Sequence, residues 1–133
     1  MTRTAPAEQG ILRGCRILLA EDEYMIVQGI IEVLLNAGAE VLGPVPSVRD
    51  AENLIATESR IHGALLDVNL GNEAIWTVVD SLLAREVPLV LVTGYDASAI
   101  PSAYAHLPRC EKPVSGSDLI HTIARTLRSN TLT

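Results

Sequence analysis

Apolar residues in this chain follow two alternating rhythms. Short, mostly apolar runs, Cys15 to Ala20, Ile61 to Asp67 and Leu89 to Val92, are rich in Ile, Leu and Val, and their length suits strands buried on both faces. Between them apolar residues recur at spacings of three and four. Met25, Ile26, Ile30, Val33 and Leu34 predict a helix from Glu23 to about Asn36, stopped by Asn36-Ala37-Gly38. Val41-Leu42 reads as a weaker second strand, after which Gly43-Pro44-Val45-Pro46 forms a rigid connection to Ser47, the expected N-cap of a helix reaching about Glu58. Leu70-Gly71-Asn72 punctuates the chain before a helix through Ile75, Trp76, Val79, Leu82 and Leu83. After Thr93 the pattern weakens, and Asp96 to Ile100 supports barely a turn or two before Pro101, so the fourth helix is expected to be short or mobile. His106 to Cys110 is expected to form the fifth strand, and Leu119, Ile120, Ile123, Ala124 and Leu127 the buried face of a last helix capped within Ser115 to Ser117.

Five β-α units in sequence predict an α/β fold: a doubly wound five-stranded parallel sheet, in the flavodoxin-like order 2-1-3-4-5, with helices on both faces. The 133 residues suit one domain that buries about two-thirds of its unfolded surface. Residues 1–12 begin polar and hold no sustained period, so they are expected to form a flexible tail, with the folded domain over 13–129 and a second flexible tail over 130–133.

Composition narrows the function more than the fold. With 48% hydrophobic residues but no Phe and one Trp, aliphatic side chains must fill the core. The formal net charge of −6 argues against a direct nucleic-acid partner, whose phosphates call for a basic stripe. No apolar stretch is long enough to span a bilayer and the N-terminus lacks a signal-peptide core, so a cytoplasmic protein without membrane contact is expected. Cys15 and Cys110 lack metal-ligand spacing and read as small buried hydrophobes, while His62, His106 and His121 are scattered and read as packing or surface residues, none a phosphotransfer histidine. Trp76 and Tyr104 are expected to pack on a helix face or cover a loop.

The candidate chemistry lies at the ends of the apolar runs. Glu21, Asp22 and Glu23 close the first, Asp67 closes the third, Thr93-Gly94 closes the fourth and Lys112-Pro113 follows the fifth. Parallel strands bring these ends to one crevice at the switch point between strands 1 and 3. Carboxylates there repel by about 4 kcal/mol per pair at 4 Å and an effective dielectric near 20 unless protonated or bridged by a cation. Oxygen-only ligation in an incomplete cage favours Mg²⁺, with Asp22 and Asp67 as direct ligands and Glu21 reaching the ion through water. Asp67, at the tip of the central strand, is the candidate nucleophile toward a phosphoryl donor, and Thr93 and Lys112 would satisfy oxygens of the product. Lone acidic residues after strands are usually solvated, and Glu23 is read that way.

Taken together, Leu18-Leu19-Ala20-Glu21-Asp22-Glu23, Leu65-Leu66-Asp67-Val68-Asn69-Leu70, Val92-Thr93-Gly94 and Glu111-Lys112-Pro113 resemble, over roughly residues 14–128, the receiver domains of bacterial two-component response regulators. The resemblance implies that Asp67 accepts a phosphoryl group from a sensor histidine kinase, that Asp22, Asp67 and the backbone carbonyl of Asn69 hold Mg²⁺, and that the bond before Pro113 is cis. There are departures. The position three before the lysine, where most receivers carry an aromatic switch residue, holds Arg109. Thr93-Gly94-Tyr95 instead resembles the Thr-Gly-Tyr motif of a single-domain subclass, although Leu91 stands where that subclass has Phe. Tyr95 is therefore the candidate switch residue and the weak fourth helix the candidate moving element.

These readings predict a stand-alone phosphorylation switch rather than an enzyme, promoting its own phosphorylation and dephosphorylation, monomeric or weakly dimeric, and working through a downstream protein target or a phosphotransfer protein. Two alternatives remain open. One is a Mg²⁺-dependent aspartyl phosphatase with haloacid-dehalogenase-like chemistry, which wants a second Asp where this chain has Asn69. The other is a flavodoxin-like cofactor binder, whose phosphate loop after strand 1 needs hydroxyls, Gly and helix-terminal amides, where Glu21-Asp22-Glu23 would repel the phosphate.

Overall fold

The computed structural model describes residues 9–94 and 100–131. Its main sheet contains β1 (Arg16–Ala20), β2 (Glu40–Val45), β3 (Gly63–Asp67), β6 (Leu89–Thr93) and β7 (Arg109–Glu111), and a small hairpin pairs β4 (Asn69–Leu70) with β5 (Glu73–Ala74). The helices are α1 (Tyr24–Asn36), α2 (Val48–Thr57), α3 (Trp76–Ala84) and α4 (Gly116–Thr131). All neighbours in the five-stranded sheet are parallel, in the order β2-β1-β3-β6-β7. With the hairpin set aside, this is the predicted order 2-1-3-4-5, the flavodoxin-like arrangement.

Every residue of β3 and β6 is buried, because side chains alternate across a strand and both faces of this sheet are covered. Leu18, Ala20, Ala64, Leu66, Leu89 and Leu91 point to the side packed by Ala51 and Ile55 of α2 and Val78, Val79 and Leu82 of α3. Their neighbours Ile17, Leu19, Leu65 and Val90 point to the other, packed by Ile30, Val33 and Leu34 of α1 and Leu119, Ile120 and Ile123 of α4. The mostly apolar runs are thus two interleaved faces, each with its own pair of helices. Ser47 caps α2 by accepting a hydrogen bond from Asp50 N at 3.1 Å, and Ser115 does the same for Asp118 N at 3.0 Å ahead of α4.

Several boundaries differ from expectation. Gly43-Pro44 lies inside β2 rather than in a connection; Gly43 has φ of +102°, and a Cβ there would stand 2.8 Å from the Leu19 carbonyl oxygen, so only glycine fits against β1. The last strand begins at Arg109, not His106, because Pro108 has no N–H and contributes only its carbonyl, which accepts from Leu91 N. Met25, one of the apolar residues that predict α1, is 81% exposed, because the buried stripe runs through Val27, Ile30, Val33 and Leu34 and Met25 lies off it. The hairpin was not anticipated, since two-residue strands carry no readable period. Trp76 and Tyr104 stack on each other with ring centroids 4.7 Å apart, and Tyr104 Oη donates to Asp80 at 2.8 Å.

The expected fourth helix falls mostly on residues 95–99, which lie outside the described residues; the segment after it holds only a 3-10 turn, Ser102–Tyr104. At the end of the chain Leu127 packs against the core and α4 runs on to Thr131. Leu12, assigned to the tail, is buried in the cluster beneath α1, and its N–H donates to the Ala37 carbonyl at 2.8 Å, because the end of α1 leaves both an apolar gap and a free carbonyl. Leu12→Ala should therefore destabilise the protein by about 2–5 kcal/mol in denaturant unfolding; a change within experimental error would place Leu12 in a solvated tail after all.

Candidate functional site

The loop after β1 turns back on itself around one carboxylate. Glu21 is only 2% exposed; its Oε1 accepts from the N–H groups of Asp22 and Glu23, both at 3.2 Å, while Oε2 makes no hydrogen bond and lies 3.4 Å from Lys112 Nζ. Asp22 points outward, and its Oδ2 accepts from Gly71 N at 3.0 Å, which ties the loop to the β4-β5 hairpin. Asp67, at the tip of β3, is buried; Oδ1 accepts from Asn69 N at 3.1 Å and Oδ2 lies 3.1 Å from Lys112 Nζ. Oxygens of Glu21, Asp22 and Asp67 all lie within 4.8 Å of one another.

Lys112 reaches this cluster from the end of β7. Its N–H donates to the Thr93 carbonyl at 2.7 Å, and its ammonium meets Glu23 at 2.9 Å as well as Asp67 and Glu21. The Lys112–Pro113 peptide is cis, as the resemblance implies. Burial alone would lower the Lys112 pKa, but hydrogen bonds to Glu23 and Asp67, with the charges of Asp67 and Glu21, outweigh it and hold the ammonium charged. Burial, reinforced by Asp67, pushes Glu21 up to about 7. The Thr93 hydroxyl is buried without a hydrogen-bond partner, and a Cβ on Gly94 would meet nothing within 4 Å, so space remains beside it.

The structure therefore brings together Asp22, Asp67, Glu21 and Lys112, sets Thr93 against the Lys112 backbone, and places the Asn69 amide on Asp67. Tyr95 lies outside the described residues. Glu21 contributes an oxygen to the same cluster as the two aspartates. One residue departs from the sequence reading. Glu23, read as a solvated loop residue, makes the shortest ion pair to Lys112; its only sequence signal was its place as the third carboxylate of an acidic run facing a single strand-end lysine. All-oxygen donors, one of them a buried carboxylate oxygen without a hydrogen bond, fit a hard divalent ion such as Mg²⁺.

From this cluster a groove of about 620 Å³ runs between α1 and the start of α4, with Met25, Ile26, Ile30, Val114 and Leu119 on its walls and Glu23, Asp67 and Lys112 at its polar end. No helix among the described residues is long and apolar enough to cross a membrane.

No protein-family model and no curated protein sequence matches the chain. Among solved structures it is similar to a response regulator receiver protein from Sinorhizobium medicae, with a TM-score of 0.77 and 24% identity over 90% of this chain and 98% of that one. It is also similar to a CheY-like response regulator receiver domain protein from Methanospirillum hungatei, with a TM-score of 0.78 and 24% identity over 89% and 97% of the two chains. The response regulator PhyR from Brucella abortus matches with a TM-score of 0.78 and 20% identity over 92% of this chain and 52% of that one. These likenesses establish the fold, a receiver-type flavodoxin-like sheet.

The raised pKa of Glu21 ties stability to pH. A carboxyl group that holds its proton more tightly when folded contributes stability that is fully present below about 4.5, its ordinary value, and is lost as pH rises through about 7. In buffer free of divalent ions, the melting temperature of the wild type relative to Glu21→Gln should therefore fall between those two pH values. A pH-independent difference would show that Glu21 ionises normally in the fold.

Proposed function

We propose that this chain is a phosphoacceptor receiver in two-component signalling, with Asp67 as the residue that carries the phosphoryl group. The observation that supports this most directly is the placing of one ammonium, Lys112 Nζ, 3.1 Å from Asp67 Oδ2, beside a three-carboxylate cluster suited to a divalent ion. Glu21, Asp22 and Asp67, with the backbone carbonyl of Asn69, would hold Mg²⁺; Glu21 would bind directly or through water. When bound, the ion supplies charge neutralisation for the carboxylates and for the oxygens of the arriving phosphoryl group.

The donor is a phosphohistidine of a sensor histidine kinase. Asp67 attacks phosphorus through a carboxylate oxygen; the P–N bond breaks as the new P–O bond forms, and the imidazole nitrogen keeps the bonding pair. Asn69 N–H holds the other Asp67 oxygen and so orients the nucleophile. The Lys112 ammonium, already beside Asp67, pairs with one oxygen of the resulting acyl phosphate, and the unpartnered Thr93 hydroxyl donates to another. Donors that shift toward a new anion give the switch its stroke. Tyr95, next after Gly94, would gate this path, with the segment that follows as the moving element. The output is a protein contact, with a downstream target or a phosphotransfer protein, in the cytoplasm. A phosphatase acting through Asp67 would require a proton-transfer group two residues on, and Asn69 cannot serve as one.

Incubation with Mg²⁺ and acetyl phosphate should add one labile phosphoryl group, detected by intact-mass spectrometry, that disappears in Asp67→Ala and on chelation. Lys112→Ala should slow its formation by about a hundred-fold, as expected for loss of one preorganised donor. An adduct that persists in Asp67→Ala would overturn the assignment.

A further inference from the structure

We propose that Glu23 is a specificity-determining carboxylate at the mouth of the site, holding a negative charge beside Lys112 that disfavours dianionic small phosphodonors and favours donors whose leaving nitrogen carries a positive charge. The proposal rests on the reading of Asp67 as phosphoacceptor.

Four observations carry it. Glu23 is the N-cap residue of α1, where a side chain ordinarily serves the free amides of the first turn, yet it makes no cap hydrogen bond. It turns to Lys112 instead, at 2.9 Å, closer than either Asp67 or Glu21. It is also the outermost of the three carboxylates around that ammonium, with its side chain 59% exposed against 7% for Asp67 and 1% for Glu21. Finally, it lies outside the cluster suited to a divalent ion but lines the same groove as Asp67. Its charge therefore adds nothing to that ligand set, and a donor entering from solvent meets it before reaching the nucleophile. A charge placed there repels a dianion more than a monoanion, and does so without touching the reacting bonds.

Two donors separate this effect from a general one. With acetyl phosphate, a dianion, the P–O bond to the acetyl group breaks, the bond to Asp67 forms, and acetate leaves with the electron pair. With phosphoramidate, whose protonated nitrogen reduces its net charge, the P–N bond breaks and ammonia leaves with the pair.

Initial rates of Asp67 labelling should be measured by intact mass, as a function of donor concentration, for wild type, Glu23→Gln and Glu23→Asp. Glu23→Gln should raise the efficiency with acetyl phosphate by about three- to ten-fold, through a lower half-saturating concentration rather than a faster limiting rate. The gain should be smaller with phosphoramidate and should shrink at high salt. Inorganic phosphate, which does not react, should bind Glu23→Gln more tightly in a chemical-shift titration. Glu23→Asp, which keeps the charge but shortens the reach to Lys112, should retain the wild-type donor preference. If Glu23→Gln alters both donors by the same factor, or Glu23→Asp behaves like Glu23→Gln, the residue only anchors Lys112 and the proposal is wrong. If no variant and no donor labels Asp67, the phosphoacceptor reading falls, and this inference with it.

Discussion

One ammonium among crowded carboxylates is the constraint around which this end of the molecule is built. Lys112 Nζ lies within 3.4 Å of oxygens from Glu21, Glu23 and Asp67, which come from the ends of two neighbouring strands and the start of a helix. Without that charge the carboxylates would repel one another in a partly desolvated crevice, and burial already holds the Glu21 proton to a pKa of about 7. The arrangement is balanced but not saturated. A buried Thr93 hydroxyl and one oxygen of Glu21 remain without hydrogen bonds.

The sheet makes this concentration of charge possible. Its central strands are buried on both faces by two separate layers of helices, so polar groups have no place along their length and collect at their ends. Parallel pairing turns that local rule into a common site: β1, β3, β6 and β7 all run the same way, and their last residues emerge on one edge. The β4-β5 hairpin closes the arrangement by offering the Gly71 N–H to Asp22. The groove beside α1 opens at the same edge, with aliphatic walls next to its charged end.

Much of this was legible in the chain, and the exceptions share a cause. The long aliphatic runs and the three-four spacings located the four α-helices and the main strands, because burial on two faces or on one stripe leaves a strong periodic trace. Elements without such a trace were missed or misplaced: the two-residue hairpin strands, the start of β7 beyond Pro108, and Leu12, whose burial depends on a gap at the far end of α1. Glu23 was passed over for a similar reason. An acidic residue at a helix start looks the same in sequence whether water or a lysine 89 positions away satisfies it.

By itself, the sequence determined the class of fold and the strand order and marked most of the candidate site residues, since hydrophobic period and the residues ending each run are local properties. Only the tertiary structure decided how those residues divide their work: that Glu21 turns inward onto its own loop, that Glu23 joins Asp67 and Glu21 around Lys112, and that the Thr93 hydroxyl is left without a partner. Hydrogen-bond and ion pairing are settled by distances of a few ångströms between groups far apart in the chain, and no spacing along the chain encodes them.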